Sequence, residues 1–370
     1  MSEAGVGLGV CLTIGSLHCA LPRATPDECL RGYIFNLSYA LTHYIICMPH
    51  PRPLFFIFFL FVAAFIALAD SPNQSTPYWA FCINPATTDP VKSDDKPRHV
   101  PNSTAEFTTA QTQDLFNPPD WHPSAHPPMP DIVAQGRKPE VYACGYCHLP
   151  NGMGRPENSS LAGLPTGYII HQMTDFRSGA RKSSEPRHLP VANMISRETK
   201  ATNQEIAVAA EYFSKLESKP WIRVVETSTV PKTHVSGWML VADAPAATEP
   251  IGQRIIEMPE DLERTELRDD NSGFVAYVPE DSIKRGKWLV TGGGEGKTVA
   301  CAKCHGPGLR GSGNVPSISG RSPSYIVRQL FDMKSGARSG ALSLQMRKQV
   351  AKLSIDDMIA IAAFLSSLKP

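Results

Sequence analysis

The sequence predicts a mainly α-helical chain of two tandem domains built on one plan. A proline-rich arm precedes them, and a small strand-containing segment separates them. Three observations carry this. Tyr168-IIHQMTDFRSGA-Arg181 matches Tyr325-IVRQLFDMKSGA-Arg338 at an offset of 157 residues. Cys144-Gly-Tyr-Cys147-His148 recurs as Cys301-Ala-Lys-Cys304-His305 at the same offset. Each half then ends on an apolar face at helical spacing: Ile206, Ala209, Phe213 and Leu216 in the first, Met358, Ile361, Leu365 and Leu368 in the second.

In chain order, the first feature is an apolar run, Leu54 to Ala69. It is 16 residues long, short of the roughly 20 that cross a bilayer. It follows Met48 and Arg52 and closes on Ala67-Leu68-Ala69, the small-x-small pattern of a cleavage site. Residues 48–69 therefore read as an export signal, and residues 1–47 as a start assigned too far upstream. The rival reading is a cytoplasmic segment with Leu54–Ala69 as an uncleaved anchor. Export implies a periplasmic protein whose cysteines meet an oxidising compartment. The chain has 36 basic and 35 acidic residues and a net charge of +1, so it shows no nucleic-acid footprint.

Residues 70–130 read as the arm. Twelve of the 33 prolines fall between Ser71 and Pro130. Tyr78, Trp79, Phe81, Phe116 and Trp121 predict that it packs along the domains rather than floating in solvent. Cys82 has no cysteine partner in the expected mature chain and reads as a buried free thiol, with an intermolecular disulfide or a lipid attachment as alternatives.

The two C-x-x-C-H motifs carry chemistry. The pattern is the attachment signature of c-type haem. Two thiols one helical turn apart add across the two vinyl groups of one porphyrin, and the adjacent imidazole meets the iron. Zinc pairs of C-x-x-C lie about 12–20 residues apart, whereas more than 150 separate these. Two haem c groups are therefore predicted, on Cys144, Cys147 and His148 and on Cys301, Cys304 and His305.

The repeat also nominates the second axial ligands. Ala210-EYFSK-Leu216 resembles Ala362-AFLSS-Leu368 at an offset of 152, and at that offset Met194 falls on Met346. A thioether suits a low-spin iron that carries electrons, so the pairs expected are His148/Met194 and His305/Met346. Met173 and Met333 have no methionine counterparts and read as packing. His171 reads as a surface or supporting residue, and His188 stays open as a ligand of the first haem.

Helix signals frame these motifs. Thr202-x-x-Glu205 and Ser354-x-x-Asp357 are capping-box starts, and Gly179 and Gly336 suit left-handed helix ends. Helices are predicted over Asp131–Arg137 and Glu280–Val290 ahead of the two haem motifs, the second anchored by Trp288. The plan is helix, haem motif, loop, helix, methionine loop, helix, stated twice over residues 131–216 and 279–370.

With these motifs the sequence resembles a dihaem class I cytochrome c, of the cytochrome c553/c4 group of periplasmic electron carriers. The resemblance covers roughly Pro130–Leu216 and Pro279–Leu368. It implies two tandem class I cytochrome c domains, one covalent haem in each, His/Met ligation at the residues above, and one-electron exchange with redox protein partners: a dehydrogenase, an oxidase or another cytochrome. It implies membrane contact only through an uncleaved signal segment or a membrane partner. It further implies that Pro316 gives its carbonyl to His305. The matching position in the first half is Ser159, so the two haems are expected to differ there.

Residues 217–278 depart from the family pattern. Trp221–Val225, Trp238–Val241 and Phe274–Val278 read as strands, and the charges from Glu257 to Asp270 as a solvated face or a partner-docking surface. Arg177, Arg181, Arg187, Lys334 and Arg338 are placed near the haem edges. The repeat of Arg181 in Arg338 marks that pair as contacts for the haem carboxylates. A dihaem peroxidase-like enzyme and the cytochrome subunit of a periplasmic dehydrogenase remain as alternatives. The first needs one iron with an open site, and the methionine present in both halves favours the carrier.

Overall fold

The structure is a computed structural model that describes residues 76–86, 94–243 and 247–370. The expected export signal, the residues ahead of it and part of the arm lie outside these. All described residues belong to one unit. Within it, two helical copies of the same plan meet along a shared boundary.

The described part of the arm holds one short α-helix, α1 (Thr109–Thr112), capped by Thr108 and Gln111, and single 3-10 turns at Tyr78–Ala80 and Pro123–Ala125. Its aromatic residues, Tyr78 apart, supply the packing: Phe81 and Trp121 are buried, whereas Tyr78 is 58% exposed. The Trp121 indole donates to the Leu267 carbonyl at 2.8 Å, and its ring meets Phe107 edge-on.

The first copy runs through α2 (Asp131–Ala134), α3 (Cys144–His148), α4 (Thr166–Ser178), α5 (Leu189–Ser196) and α6 (Asn203–Lys215). The helix expected over Asp131–Arg137 stops three residues early. Gly136 takes a left-handed φ of +63°, and Arg137 turns back to bridge Val141. Helix α4 ends on Gly179 at φ +74°, a conformation that glycine adopts without steric cost. Helix α6 opens on the expected Thr202/Glu205 capping box. Its Ile206, Ala209, Ala210 and Phe213 close on Val133, Val141 and Ile169 to make the first core.

Among the described residues seven strands follow, each short: β1 (Ile222–Glu226), β2 (Thr229–Pro231), β3 (Thr233–Ser236), β4 (Met239–Ala242), β5 (Thr248–Pro250), β6 (Ile256–Pro259) and β7 (Phe274–Val278). The main sheet has the order β1-β7-β6, with β1 and β7 parallel and β6 antiparallel. Strands β3 and β4 form a hairpin turned by Gly237 and Trp238, both at positive φ. Helix α7 (Leu262–Glu266) lies between β6 and β7 and is capped by Asp261. Ala276 and Val278 reach into the second helical core, so the sheet is fixed to that copy.

The charges expected to be solvated in this segment divide: Glu260, Asp261, Glu263 and Glu266 are exposed, and three other acids are not. Glu257, Asp269 and Asp270 are buried. Glu257 accepts from the Ser322 hydroxyl at 2.7 Å. Asp269 accepts from His122 at 3.0 Å and pairs with Arg264 at 2.6 Å. These acids tie chain segments together, because a buried carboxylate persists only where donors replace its water.

The second copy comprises α8 (Ser282–Gly292), α9 (Ala302–His305), α10 (Pro323–Ser335), α11 (Ser343–Val350) and α12 (Ile355–Ser367). Helix α8 begins two residues later than expected and crosses α12. The crossing rests on Gly286, where a Cβ would run into the Ala360 carbonyl. Leu289 and Val290 point inward, while Trp288 is 43% exposed and anchors nothing. The i, i+3, i+4 stripe set by Gly286, Leu289 and Val290 leaves Trp288 off the buried face. Helix α10 ends on Gly336 at φ +86°, and α12 starts on the Ser354/Asp357 box.

Candidate functional site

Each copy folds its cysteine motif against a cavity. Cys144, Cys147 and His148 line the first, and Cys301, Cys304 and His305 line the second. Each motif forms a single helical turn, which brings both thiols and the imidazole to one face. Burial raises the Cys144 thiol and pushes Cys147 up to about 11 and Cys301 to about 11. All are thiols rather than thiolates at neutral pH.

Both imidazoles are fixed through one nitrogen. His148 Nδ1 lies 2.8 Å from the Ser159 carbonyl, and His305 Nδ1 lies 2.8 Å from the Pro316 carbonyl. Donation from Nδ1 leaves Nε2 as the free lone pair, the arrangement that a metal-bound histidine requires. The asymmetry expected at this bond is absent, because the acceptor is a backbone carbonyl and needs no proline ring. Burial, with Arg181 nearby, pushes His148 down to about 4; burial also lowers His305. Both are neutral at pH 7. Phe213 of α6 braces the His148 ring edge-on, with centroids 6.0 Å apart.

Met194 lines the first cavity and Met346 the second. Neither stands on a loop, as the sequence predicted: Met194 is carried by α5 and Met346 by α11. Pro190 near the start of α5, and the turn through Gly340 that precedes α11, set where these helices begin. Met173 and Met333 also line their cavities, as packing residues. His171 does not; it sits 3.6 Å from Asp175.

The cavities are neighbours. Ser159, Tyr168, Gln172, Tyr325 and Gln329 line both. Arginines cross this wall reciprocally. Arg181 donates to the Tyr325 hydroxyl at 3.2 Å and to Gln329 at 3.1 Å. Arg338 donates to the Tyr168 hydroxyl at 3.0 Å and to Gln172 at 2.8 Å. The turns that carry them pair as antiparallel backbone: Arg181 bridges Arg338, Lys182 N–H donates to the Ala337 carbonyl, and Ser339 N–H donates to the Ala180 carbonyl.

Two further arginines were missed in the sequence. Arg321 is buried and donates to Ser160 and to the Ala162 carbonyl; burial pushes it down to about 10. Arg328 is buried and donates to the Ala80 and Pro156 carbonyls. Nothing in their local sequence marks them. The wall residues did leave a signal: Tyr168, Gln172 and Arg181 are identical to Tyr325, Gln329 and Arg338 across the repeat. Arg177 and Arg187 turn away from the cavities, the first to the Thr199 and Ala201 carbonyls and the second to Glu185. The Lys334 ammonium donates to the Leu353 carbonyl.

These features suit two porphyrins. Each cavity offers two thiols, one imidazole with its outer nitrogen engaged, and one thioether. Among the described residues, Arg181, Arg321, Arg328 and Arg338 make no direct ion pair with a carboxylate; the last three are buried, and buried guanidiniums without anions are costly. Two haems bring carboxylates that would balance them.

No family model matches the chain. A cytochrome c4 from Pseudomonas aeruginosa is 34% identical over 231 residues, which cover 61% of this chain and 83% of that one. The chain belongs to the cytochrome c4 family. A cytochrome c4 from Azotobacter vinelandii is 27% identical over 251 residues, covering 66% of this chain and 91% of its own. The thiosulfate dehydrogenase electron acceptor of Thiomonas intermedia is 27% identical over 234 residues, covering 62% and 80%. As a cytochrome c4 the protein is a dihaem c-type cytochrome with two covalently bound haems, and it carries electrons.

Proposed function

We propose that this cytochrome c4 holds its first haem on Cys144, Cys147, His148 and Met194 and its second on Cys301, Cys304, His305 and Met346. One observation carries the assignment. In each cavity an imidazole whose Nδ1 is held by a carbonyl shares the lining with two thiols and a methionine of the equivalent helix. The haem supplies one-electron oxidation and reduction at iron. The chain's own residues do the rest. Ser159 and Pro316 aim the two imidazoles, α5 and α11 deliver the methionines, and the apolar walls exclude water. Arg181 and Arg338 are the proposed carboxylate contacts, each reaching across the wall.

The protein works in the periplasm in this reading, exported by residues 48–69, and residues 131–216 and 279–370 act as its two haem domains. The arm and the strand segment brace them. Its partners are redox proteins. Likeness to the Thiomonas intermedia protein named as the electron acceptor of thiosulfate dehydrogenase supports a dehydrogenase as the donor.

Optical and EPR spectra of the oxidised protein test the ligands. Two low-spin haems with the weak methionine–iron band near the red end are expected. Met194→Ala and Met346→Ala should each remove that band from one haem. A variant that leaves both spectra intact defeats its assignment, and a high-spin haem that reacts with peroxide defeats the carrier reading.

A further inference from the structure

His188 precedes α5 and is the least explained side chain of the first cavity. It is 2% exposed, and neither Nδ1 nor Nε2 has a hydrogen-bond partner. It lines the cavity together with Cys144, His148 and Met194. Phe81 of the arm closes over its edge, with centroids 5.6 Å apart. A buried imidazole with two idle nitrogens forfeits the hydrogen bonds that water gave it in the unfolded chain. A ring so placed lacks its partner.

Two partners are open to it, the iron and the porphyrin's carboxylates. A histidine bound to metal almost always gives its outer N–H to a carbonyl or carboxylate, which fixes the ring. His148 and His305 both do so, at 2.8 Å. His188 has no such contact on either nitrogen. Thioethers also stand in the cavity already, at Met194 and Met173. The charges around His188 point to the carboxylates. Its neighbours are Arg328, buried and without a direct ion pair, and Glu185, whose carboxylate is engaged by Arg187 at 2.8 Å. Arg328 lines the same cavity, beside Tyr325 and Gln329 of the shared wall. An anion placed there would satisfy both the imidazole and the guanidinium.

We propose that His188 is a porphyrin-binding residue of the first haem only, donating a ring N–H to a haem carboxylate that Arg328 also faces. The second copy has no equivalent. Six residues before Met346, where His188 would fall, stands Gly340, with the Asp175 carboxylate in the space a Cβ would take. The two haems are therefore held differently at their acidic edges, although their axial sets match. The inference rests on haem attachment at Cys144 and Cys147 as proposed above.

The test uses the doubly haem-loaded protein with His188→Phe, which keeps an aromatic ring against Phe81, and His188→Gln, which keeps an N–H donor. Midpoint potentials of both haems would be followed by spectroelectrochemistry, and the porphyrin side-chain resonances by NMR. In His188→Phe the potential of the first haem should fall, because a carboxylate stripped of its donor holds more negative charge and favours ferric iron. Its propionate resonances should move, the second haem should not change, and both methionine–iron bands should persist. His188→Gln should recover part of the shift. Unchanged potentials and resonances in His188→Phe overturn the proposal. So does loss of the first haem's low-spin signature, which would make His188 an iron ligand. If mass spectrometry finds no haem on the Cys144–Cys147 peptide, the underlying attachment reading fails instead.

Discussion

Asp357 shows how a single carboxylate sets an acid limit. It is fully buried at the start of α12. Burial alone would raise it, but bonds from Lys297 at 2.9 Å, from Arg285 at 2.6 Å and from Ser354 outweigh burial and hold it near about 2. An unfolded aspartate titrates at about 3.9. The stabilisation is therefore complete above that value and is lost as pH falls through about 2. Asp357→Asn should cost about 1.5–3 kcal/mol at pH 7, the range for hydrogen bonds to a charged group. Urea midpoints of variant and parent should converge near pH 2. A gap that persists there would show that packing, not charge, sets the effect. The sequence marked Ser354 and Asp357 as a cap. It could not mark Lys297, 60 residues away, because only the fold brings that ammonium to the helix start.

Among elements, the α8–α12 crossing is set by backbone. Gly286 lets the two helices touch where any side chain would collide with Ala360. Gly286→Val should cost more than the 1–3 kcal/mol of ordinary overpacking, since main chain cannot repack as side chains do. Thermal unfolding followed at the second haem should show the loss, while the first copy, with its own core, unfolds later. A variant as stable as the parent would mean that α8 slides without penalty. Helix ends at Gly179, Gly336, Thr202 and Ser354 were legible because caps and glycines are local signals. The end of α2 and the helical setting of both methionines were not. Gly136 breaks α2 before the pattern fades, and α5 and α11 are only 8 residues long and open without a side-chain cap. Trp288 misled for a related reason: its size suggested an anchor, but the glycine beside it had already chosen the buried face.

At the scale of the molecule, the two cavities share one polar wall whose donors are exchanged. Arg338 belongs to the second copy but is bonded to Tyr168 and Gln172 of the first. Arg338→Met should therefore shift the midpoint potentials of both haems, read by spectroelectrochemistry. A change confined to the second haem would count against a shared wall. The haem motifs, the repeat and the number of cofactors were readable from spacing alone. The wall was only half readable. Its tyrosines, glutamines and outer arginines recur across the repeat, while Arg321 and Arg328 do not and acquire meaning only in the fold.

The reciprocal bonds at that wall also limit modularity. A duplicated domain would ordinarily be portable, open to excision or to exchange with the matching half of a relative. Here each half finishes the other's cavity, through Arg181 in one direction and Arg338 in the other. A transplanted half would bring its own iron ligands and leave behind part of its pocket. Chimaeras should succeed only where the tyrosine, glutamine and arginine on both sides travel together, so the two halves are bound to diverge as a pair.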